Sequence, residues 1–251
     1  MKNLSNPVSF CAILTLLLLS PVLQAGSNPG TKSEIPAKLT ARVTDKKPAS
    51  GLLAEMSSLY NEINLKSLGL SEKAFDYAYK GYTYLMLHHS LNRGNMISIC
   101  DFSQSSRRKR LYVVDLEQKK VLINTYVAHG RKSGSEYARS FSNNPESHKS
   151  SLGFYVTEQT YYGDHGLALK IHGLERGFND KADARNIVIH GSEYVGTGFL
   201  RMNRFNGRSF GCPAVPSSQT DTLIQTIKNG SCLFIYYPTK KYITKSKILN
   251  G

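Results

Sequence analysis

Acidic residues, cysteines and cofactor motifs are all scarce in this sequence of 251 residues. It contains no Gly-x-Gly-x-x-Gly run and no Cys-x-x-Cys pair, so neither a dinucleotide-binding turn nor a metal or redox site built on paired cysteines is indicated. No internal repeat is present either. The length suits one sizeable domain, alone or behind a helical preface.

The shortage of acidic residues leaves the chain strongly basic. The sequence has 18 acidic residues and 32 Lys and Arg residues, which gives a formal net charge of +14. A surface of this kind suits an anionic polymer such as cell wall. The one dense basic run, Arg107-Arg108-Lys109-Arg110, precedes a predicted strand and is more typical of a solvated turn than of a nucleic-acid-binding arm. We therefore expect no nucleic-acid partner.

The single long apolar run lies near the N-terminus. Lys2, the apolar stretch from Cys11 to Leu19 and the small residues around Ala25 predict a signal peptide over residues 1–25. The stretch is shorter than the roughly 20 residues of a membrane span, and an uncleaved anchor is the alternative. Residues 26–50 are polar and predict a flexible leader. We expect export to the periplasm or cell-wall space.

Only four cysteines are present, at positions 11, 100, 212 and 232. Removal of the signal peptide leaves three, so at least one thiol stays unpaired within the chain. Cys100 and Cys232 both lie in apolar, strand-like segments. They form either a disulfide or two buried free thiols, and the sequence does not separate these alternatives.

Two amphipathic helices are predicted before residue 95. The first covers residues 51–64, and its apolar face comprises Leu52, Leu53, Met56, Leu59 and Ile63. The second begins after Ser71, a good N-cap, and runs to about Ser90.

Short β segments dominate the rest of the chain, at residues 96–102, 110–116, 121–128, 153–158, 167–172, 186–190 and 231–237. One late helix is predicted over residues 217–228, capped by Ser217 or Ser218. Residues 129–150 predict a surface loop of a length that is uncommon unless functional. The fold class is mainly β: a sandwich-like domain over residues 95–251 behind a helical preface over residues 51–94.

The strongest chemical signal is a cysteine that follows a glycine, with a histidine upstream. Cys212 follows Gly211, and His190 ends a run of β-branched residues. A thiolate is a good nucleophile, and an adjacent imidazole removes the thiol proton. Gly211 allows a tight turn whose N–H groups face a developing oxyanion. The spacer between the two residues contains several arginines, which suggest a lid that grips a carboxylated peptide, with a plain basic loop as the alternative.

These residues resemble the signature of the murein L,D-transpeptidases (YkuD-type), in a divergent branch that reads Gly-Arg-Ser-x-Gly-Cys-Pro. The match covers His190-Gly191 and Gly207 to Pro213 and extends over about residues 95–240. The resemblance implies an L,D-transpeptidase-like fold, Cys212 as nucleophile and His190 as base. It also implies a backbone carbonyl at Gly191, or at Ser192, that orients the imidazole, and an oxyanion hole from the N–H groups of Cys212 and Gly211. We assign substrate contacts to Arg208, Ser209, His172 and Tyr155.

The implied reaction needs no cofactor. The thiolate of Cys212 forms a thioester with a peptidoglycan stem peptide and releases D-alanine, and an amine on a second stem or on a protein accepts the acyl group. With water as acceptor the activity is that of an L,D-carboxypeptidase. Carbapenems are expected to acylate Cys212, and the protein is expected to be a monomer.

One position departs from the family pattern, because Phe210 stands where most members have His. Phenylalanine carries neither charge nor a hydrogen-bond donor, so His172 either substitutes for the missing imidazole or is an ordinary strand residue. A catalytically inactive wall-binding module is therefore an alternative. A papain-like amidase is disfavoured, since those enzymes place the cysteine before the histidine.

Scattered histidines and acids raise the question of a metal site. The candidates are His129, His148, His165, Asp164 and Asp180. They lack the tight spacing of a zinc site, and we expect no metal.

Overall fold

The computed structural model describes residues 49–164 and 166–251. The predicted signal peptide and the predicted leader up to residue 48 lie outside the described residues, as does His165. Within the described part of the chain, no helix combines the length and apolar character needed to cross a membrane.

Two helices open the described chain, α1 (Ala49–Glu62) and α2 (Glu72–Leu87). Ser71 caps α2 as predicted, because its side chain accepts a hydrogen bond of 3.2 Å from the N–H of Ala74. The predicted apolar face of α1 is correct at Met56 and Leu59, which are buried. It is wrong at Leu53, which is 60% exposed and does not belong to the hydrophobic core.

Eight strands form one hydrogen-bonded sheet. They are β1 (Met96–Asp101), β2 (Leu111–Asp115), β3 (Lys120–Thr125), β4 (Gly153–Gly163), β5 (Gly166–Gly173), β6 (Val188–Ser192), β7 (Ala214–Pro216) and β8 (Cys232–Tyr236). Their order is β3-β2-β1-β8-β4-β5-β6-β7. Neighbours are antiparallel except for the parallel pairs β1–β8 and β6–β7.

The helices and the sheet share one hydrophobic core. Gly81 lets α2 approach the sheet closely, since a Cβ atom there would lie 2.0 Å from the Phe154 ring. That ring stacks on Phe234 of the neighbouring strand with centroids 4.2 Å apart. The mainly β fold class with leading helices is thus confirmed.

The short helices around the sheet were only partly predicted. They are α3 (Thr197–Leu200), α4 (Ser217–Ile227), α5 (Lys240–Lys245) and α6 (Lys247–Asn250). The predicted late helix corresponds to α4, but its N-cap is Pro216 and no side chain caps it. The sequence analysis did not anticipate α3, α5 or α6.

The sheet register decides between the two alternatives for the internal cysteines. Cys100 of β1 pairs with Ile235, whereas Cys232 of β8 pairs with Ile97. The two cysteines are therefore three positions out of register, and alternation along a strand puts their side chains on opposite faces of the sheet. A disulfide cannot span this arrangement, and both are free buried thiols.

Candidate active site

The turn that carries Cys212 is held from within by Ser209. The Ser209 Oγ donates a hydrogen bond of 2.6 Å to the carbonyl of Cys212 and accepts one of 3.0 Å from the N–H of Gly211. Gly211 has a φ of +136°, and a Cβ there would lie 3.0 Å from Ile187 and 3.1 Å from the carbonyl of Lys149. A side chain at this position would strain the turn, which explains the glycine.

The long loop over residues 129–150 supports the same turn from outside. The Ser150 Oγ donates to the carbonyl of Gly211 at 3.0 Å. The N–H of Arg131 donates to the carbonyl of Ser209 at 2.8 Å, and the N–H of Ser209 donates to the carbonyl of His129 at 3.1 Å. The loop over residues 129–150 therefore stabilises the backbone of the turn that carries Cys212.

His190 lies on β6, whose register sets it opposite Ala214, two residues after Cys212. Its Nδ1 is 2.9 Å from the carbonyl of Gly191, the contact that the resemblance implies. Since a carbonyl only accepts, Nδ1 carries the proton and Nε2 is left with the basic lone pair. Gly191 also packs against α4, where a Cβ would lie 2.4 Å from the Thr220 Oγ1.

A cavity of about 310 Å³ brings the predicted nucleophile and base together. Its walls contain aromatic, charged and backbone groups: Tyr161, Gly163, Asp164, Ala168, Asn186, Val188, His190, Tyr194, Arg208, Ser209, Phe210 and Cys212. Cys212 is half-buried and His190 is buried. Both residues thus face one small space that suits a peptide segment.

The surroundings of the thiol act on its ionisation in opposite directions. Burial raises the pKa of Cys212, while the Val188 N–H, the Arg185 guanidinium and the N–H of Cys212 itself lower it. The net direction is upward, so the thiol keeps its proton at rest. The Sγ lies 3.6 Å from the carbonyl of Asn186, which accepts that proton in a hydrogen bond. Attack on a carbonyl therefore requires a base to remove the proton.

With this geometry in place, the comparisons identify the family. A model of the L,D-transpeptidase catalytic domain matches residues 66–236. The chain belongs to the L,D-transpeptidase catalytic domain family. No curated protein matches it.

Solved structures of L,D-transpeptidases are also similar to this chain, at low identity. An L,D-transpeptidase from Mycobacterium smegmatis is 9% identical over 57% of this chain and 59% of that chain, with a TM-score of 0.35. LdtMt1 in complex with imipenem is 10% identical over the same shares, with a TM-score of 0.35. The helical cell shape determining protein Pgp2 from Campylobacter jejuni is 14% identical over 64% of this chain and 57% of that chain, with a TM-score of 0.39. The chain thus spans less than two thirds of the length of each.

Two of the residues to which we assigned substrate contacts do not reach the cavity. Tyr155 is fully buried and donates to the carbonyl of Ser151 at 3.1 Å, so a substrate contact there is wrong. His172 is exposed on β5, and its Nδ1 pairs with Asp183 at 2.7 Å. It therefore does not replace the family histidine. Arg208 and Ser209 do line the cavity, although Ser209 is nearly buried and holds the turn.

Phe210 occupies the rim of the cavity where the family pattern has His. Its ring is 63% exposed. The Arg131 guanidinium lies 4.6 Å from the ring centroid, and the ring of His148 packs edge-on at 4.8 Å. These contacts hold the ring outward at the cavity mouth, where it presents an apolar surface to an incoming chain.

Arg185 and Asn186 contribute to the site, and the sequence analysis missed both. Arg185 is anchored by the carbonyls of Ser142 and Lys149, at 2.9 and 2.7 Å, and its charge favours the Cys212 thiolate. Asn186 adopts a left-handed conformation with φ of +51° and turns its carbonyl toward the thiol. Asparagine is favoured in the left-handed conformation. Asn186, just before β6, was therefore the sequence signal that could have identified this part of the site.

The spacer between His190 and Cys212 is pinned to the body of the protein. The buried side chain of Asn206 accepts from the N–H of Gly196 at 2.8 Å and donates to the carbonyl of Ser106. Of the spacer arginines, Arg208 lines the cavity. Its guanidinium donates to the carbonyl of Gly134 at 3.0 Å. Among the spacer arginines, the predicted contact with a substrate carboxylate is therefore assigned to Arg208.

Two of the three histidines considered as metal ligands, His129 and His148, belong to the described part of the chain. His129 is buried, and its Nδ1 accepts from the Arg110 guanidinium at 2.7 Å. Burial and that cation lower the pKa of His129 to about 3, so the ring is neutral and structural. Across residues 49–164 and 166–251, no three potential ligands gather where they could hold a metal ion.

Proposed function

We propose that this protein is an exported peptidoglycan L,D-transpeptidase that uses Cys212 as its nucleophile. The observation that carries this function is the shared cavity of Cys212 and His190, in which the Gly191 carbonyl orients the imidazole. Membership of the L,D-transpeptidase catalytic domain family supports the same reaction.

The proposed first half-reaction forms a thioester. His190 Nε2 takes the Sγ proton as the sulfur attacks the carbonyl carbon that joins the third stem residue to the terminal D-alanine. The tetrahedral intermediate collapses, the C–N bond breaks, and the imidazolium returns the proton to the departing amine. D-alanine leaves, and the acyl group stays on Cys212.

The second half-reaction reverses the proton movements. An amine of a second stem attacks the thioester carbonyl, loses a proton to His190, and forms an amide as the thiol leaves. If water attacks instead, the product is a carboxylate and the enzyme acts as an L,D-carboxypeptidase. Neither route requires a metal or an organic cofactor.

Stabilisation of the oxyanion is proposed to rest on the N–H of Cys212. The N–H of Gly211, which the resemblance also assigned to this role, donates to Ser209 in the resting structure. Pro213 has no N–H. A single preorganised backbone donor is consistent with a modest rather than a fast enzyme.

Export is proposed from the N-terminal sequence alone. The apolar segment and the small residues near Ala25 are typical of a signal peptide, and the net charge of +14 suits an anionic wall. The stem peptide would therefore meet the enzyme in the periplasm or cell-wall space.

The test is a reaction of the purified protein with a disaccharide tetrapeptide, with Cys212→Ala as control. Products are separated by chromatography and identified by mass. A crosslinked dimer with release of D-alanine supports the transpeptidase. Tripeptide product without dimer selects the carboxypeptidase instead. No product from a folded wild-type protein contradicts both activities and favours a binding module, whereas equal product from Cys212→Ala contradicts Cys212 as the nucleophile.

A further inference from the structure

A second and larger cavity lies away from the thiol. Its volume is about 700 Å³, and none of its lining residues belongs to the thiol cavity. Four cationic side chains line it: Arg139, Arg176, Lys181 and Lys241. We call it the basic cavity. It has no part in the proposed reaction.

The cations of the basic cavity form no salt bridge with a described acidic residue. In the part of the chain that the structure describes, the salt bridges join Lys119 to Glu62 and His172 to Asp183, and neither involves the four cations. Asp180 is the one acidic residue in the lining. Its carboxylate accepts from the Gly177 N–H at 2.6 Å and from the Asn143 side-chain amide at 2.7 Å, and the charge of Lys181 also acts on it, so one carboxylate stands against four cations. Like charges held together repel one another unless an anion joins them.

The frame of the basic cavity is preorganised by a buried carboxylate. Glu175, 4% exposed, accepts from the Phe154 N–H at 2.8 Å, from the Tyr242 hydroxyl at 2.7 Å and from Ser246. These bonds tie the segment that carries Arg176 and Lys181 to the segment that carries Lys241. Asn143 completes the frame, because its Oδ1 accepts from the Lys181 N–H at 3.1 Å. These hydrogen bonds therefore hold in place the backbone segments that carry the cations.

The floor of the basic cavity is apolar and the lining offers an amide. Leu152 is buried, and Phe141 and Phe178 pack against the hydrophobic core while lining the cavity. Asn144 is exposed in the lining and offers an amide, whereas Asn143 already bonds Asp180 and the Lys181 N–H. Apolar rings, a hydrogen-bonding amide and surrounding cations form the combination that binds a sugar carrying an anionic group. Arginine forks match the oxygens of phosphate, and four cations against one acid suit a dianion.

We propose that the basic cavity is a binding site for a phosphorylated sugar. The phosphate lies among Arg139, Arg176, Lys181 and Lys241, and the sugar ring lies over the apolar floor. Such a site would hold the enzyme on a phosphate-bearing glycan while the thiol cavity works on a peptide. The site does not depend on the thiol chemistry, so either can fail without the other.

The test is NMR titration of the full chain with glucose 6-phosphate, inorganic phosphate, glucose and glucuronate. We expect glucose 6-phosphate to bind most tightly, with shifts in segments 139–144 and 176–181, and glucose to cause none. The double variant Arg176→Gln/Lys181→Gln should weaken that binding about tenfold or more. The matched variant Lys66→Gln/Lys73→Gln removes the same charge from exposed positions outside the cavity and should bind like wild type.

Two results would overturn the proposed site, and a third would overturn the choice of ligand. One is the absence of saturable binding of glucose 6-phosphate to a folded protein. The other is an equal loss of binding in both double variants, which would mean that net charge alone attracts the ligand. Binding of glucuronate as tightly as glucose 6-phosphate would also contradict the choice of a phosphate dianion.

Discussion

The three thiols in the described part of the chain differ because of where the backbone places them. Cys100 and Cys232 lie on central strands and are fully buried. Burial raises the pKa of Cys100 to about 12 and that of Cys232 further still. Cys212 lies on a turn, where the Val188 N–H and the Arg185 guanidinium oppose the effect of burial. The interior of a strand uses its N–H groups for the sheet, whereas the sulfur on this turn lies beside the first N–H of β6, that of Val188, and beside a cation.

The largest expected effect follows from removal of the turn thiol. Cys212→Ala should abolish D-alanine release, because no other described thiol reaches the cavity. The fold should persist, since the turn is held by Ser209 and Ser150. Product formation and circular dichroism check the two statements. Residual turnover above a few per cent of wild type would place the nucleophile elsewhere.

Removal of the base should have the next largest effect. His190→Ala should slow thioester formation by roughly two to four orders of magnitude, because the variant lacks the imidazole that is proposed to accept the thiol proton. Single-turnover kinetics with a stem peptide measure this step. His172→Ala is the matched control, since that exposed imidazole pairs with Asp183 away from the cavity, and it should leave the rate unchanged. Equal losses in the two variants would contradict the assignment of the base.

Arg185→Gln should have a smaller effect, and one that depends on pH. Loss of the cation raises the pKa of Cys212 further, so less thiolate exists at neutral pH. Alkylation by iodoacetamide at pH 7 should slow by about threefold to tenfold, because the thiolate is the species that reacts. The difference in alkylation rate between wild type and Arg185→Gln should vanish at a pH above the Cys212 pKa of both proteins, because Cys212 is then fully deprotonated in each.

Two further variants separate the charge of Arg185 from its structural bonds. Arg185→Lys keeps the positive charge but loses the guanidinium group that donates to the carbonyls of Ser142 and Lys149. It should therefore retain most of the alkylation rate. Arg201→Gln, at an exposed position outside the cavity lining, should match wild type. If Arg201→Gln slows alkylation as much as Arg185→Gln does, net charge rather than position controls the thiol.

The smallest expected effect on activity comes from the core thiols. Cys232→Ala should leave D-alanine release unchanged and lower the free energy of unfolding by about 1 kcal/mol, the usual size for a modest core substitution. Denaturant unfolding and the transfer assay measure the two quantities. A large loss of activity in this folded variant would mean that the contrast between core and turn thiols is wrong.

Local sequence patterns predicted much of the fold. Ser71 marked the start of α2 because its hydroxyl accepts from an N–H three residues on, a contact that lies within one turn of chain. The pairing of His190 with a carbonyl beside it is local in the same way. The register that separates Cys100 from Cys232 depends on strands more than 100 positions apart, and no short pattern encodes it.

The errors share a physical cause, which is burial decided by tertiary packing. Tyr155 was assigned to the substrate, yet β4 is covered at that point and the ring is enclosed. Arg185 was missed because its effect on the thiol depends on the loop that carries Ser142 and Lys149. Residues that act through distant loops give no periodic signal along the chain.

The most direct test of the central claim is the intact mass of the purified protein after incubation with imipenem, a carbapenem, since the resemblance implies that carbapenems acylate Cys212. Wild type, Cys232→Ala and Cys212→Ala are compared after their folding has been checked. We predict one imipenem adduct on wild type and on Cys232→Ala, and none on Cys212→Ala. An adduct that persists in Cys212→Ala, or a folded wild type that gains no mass, would contradict an acyl-accepting thiol at position 212.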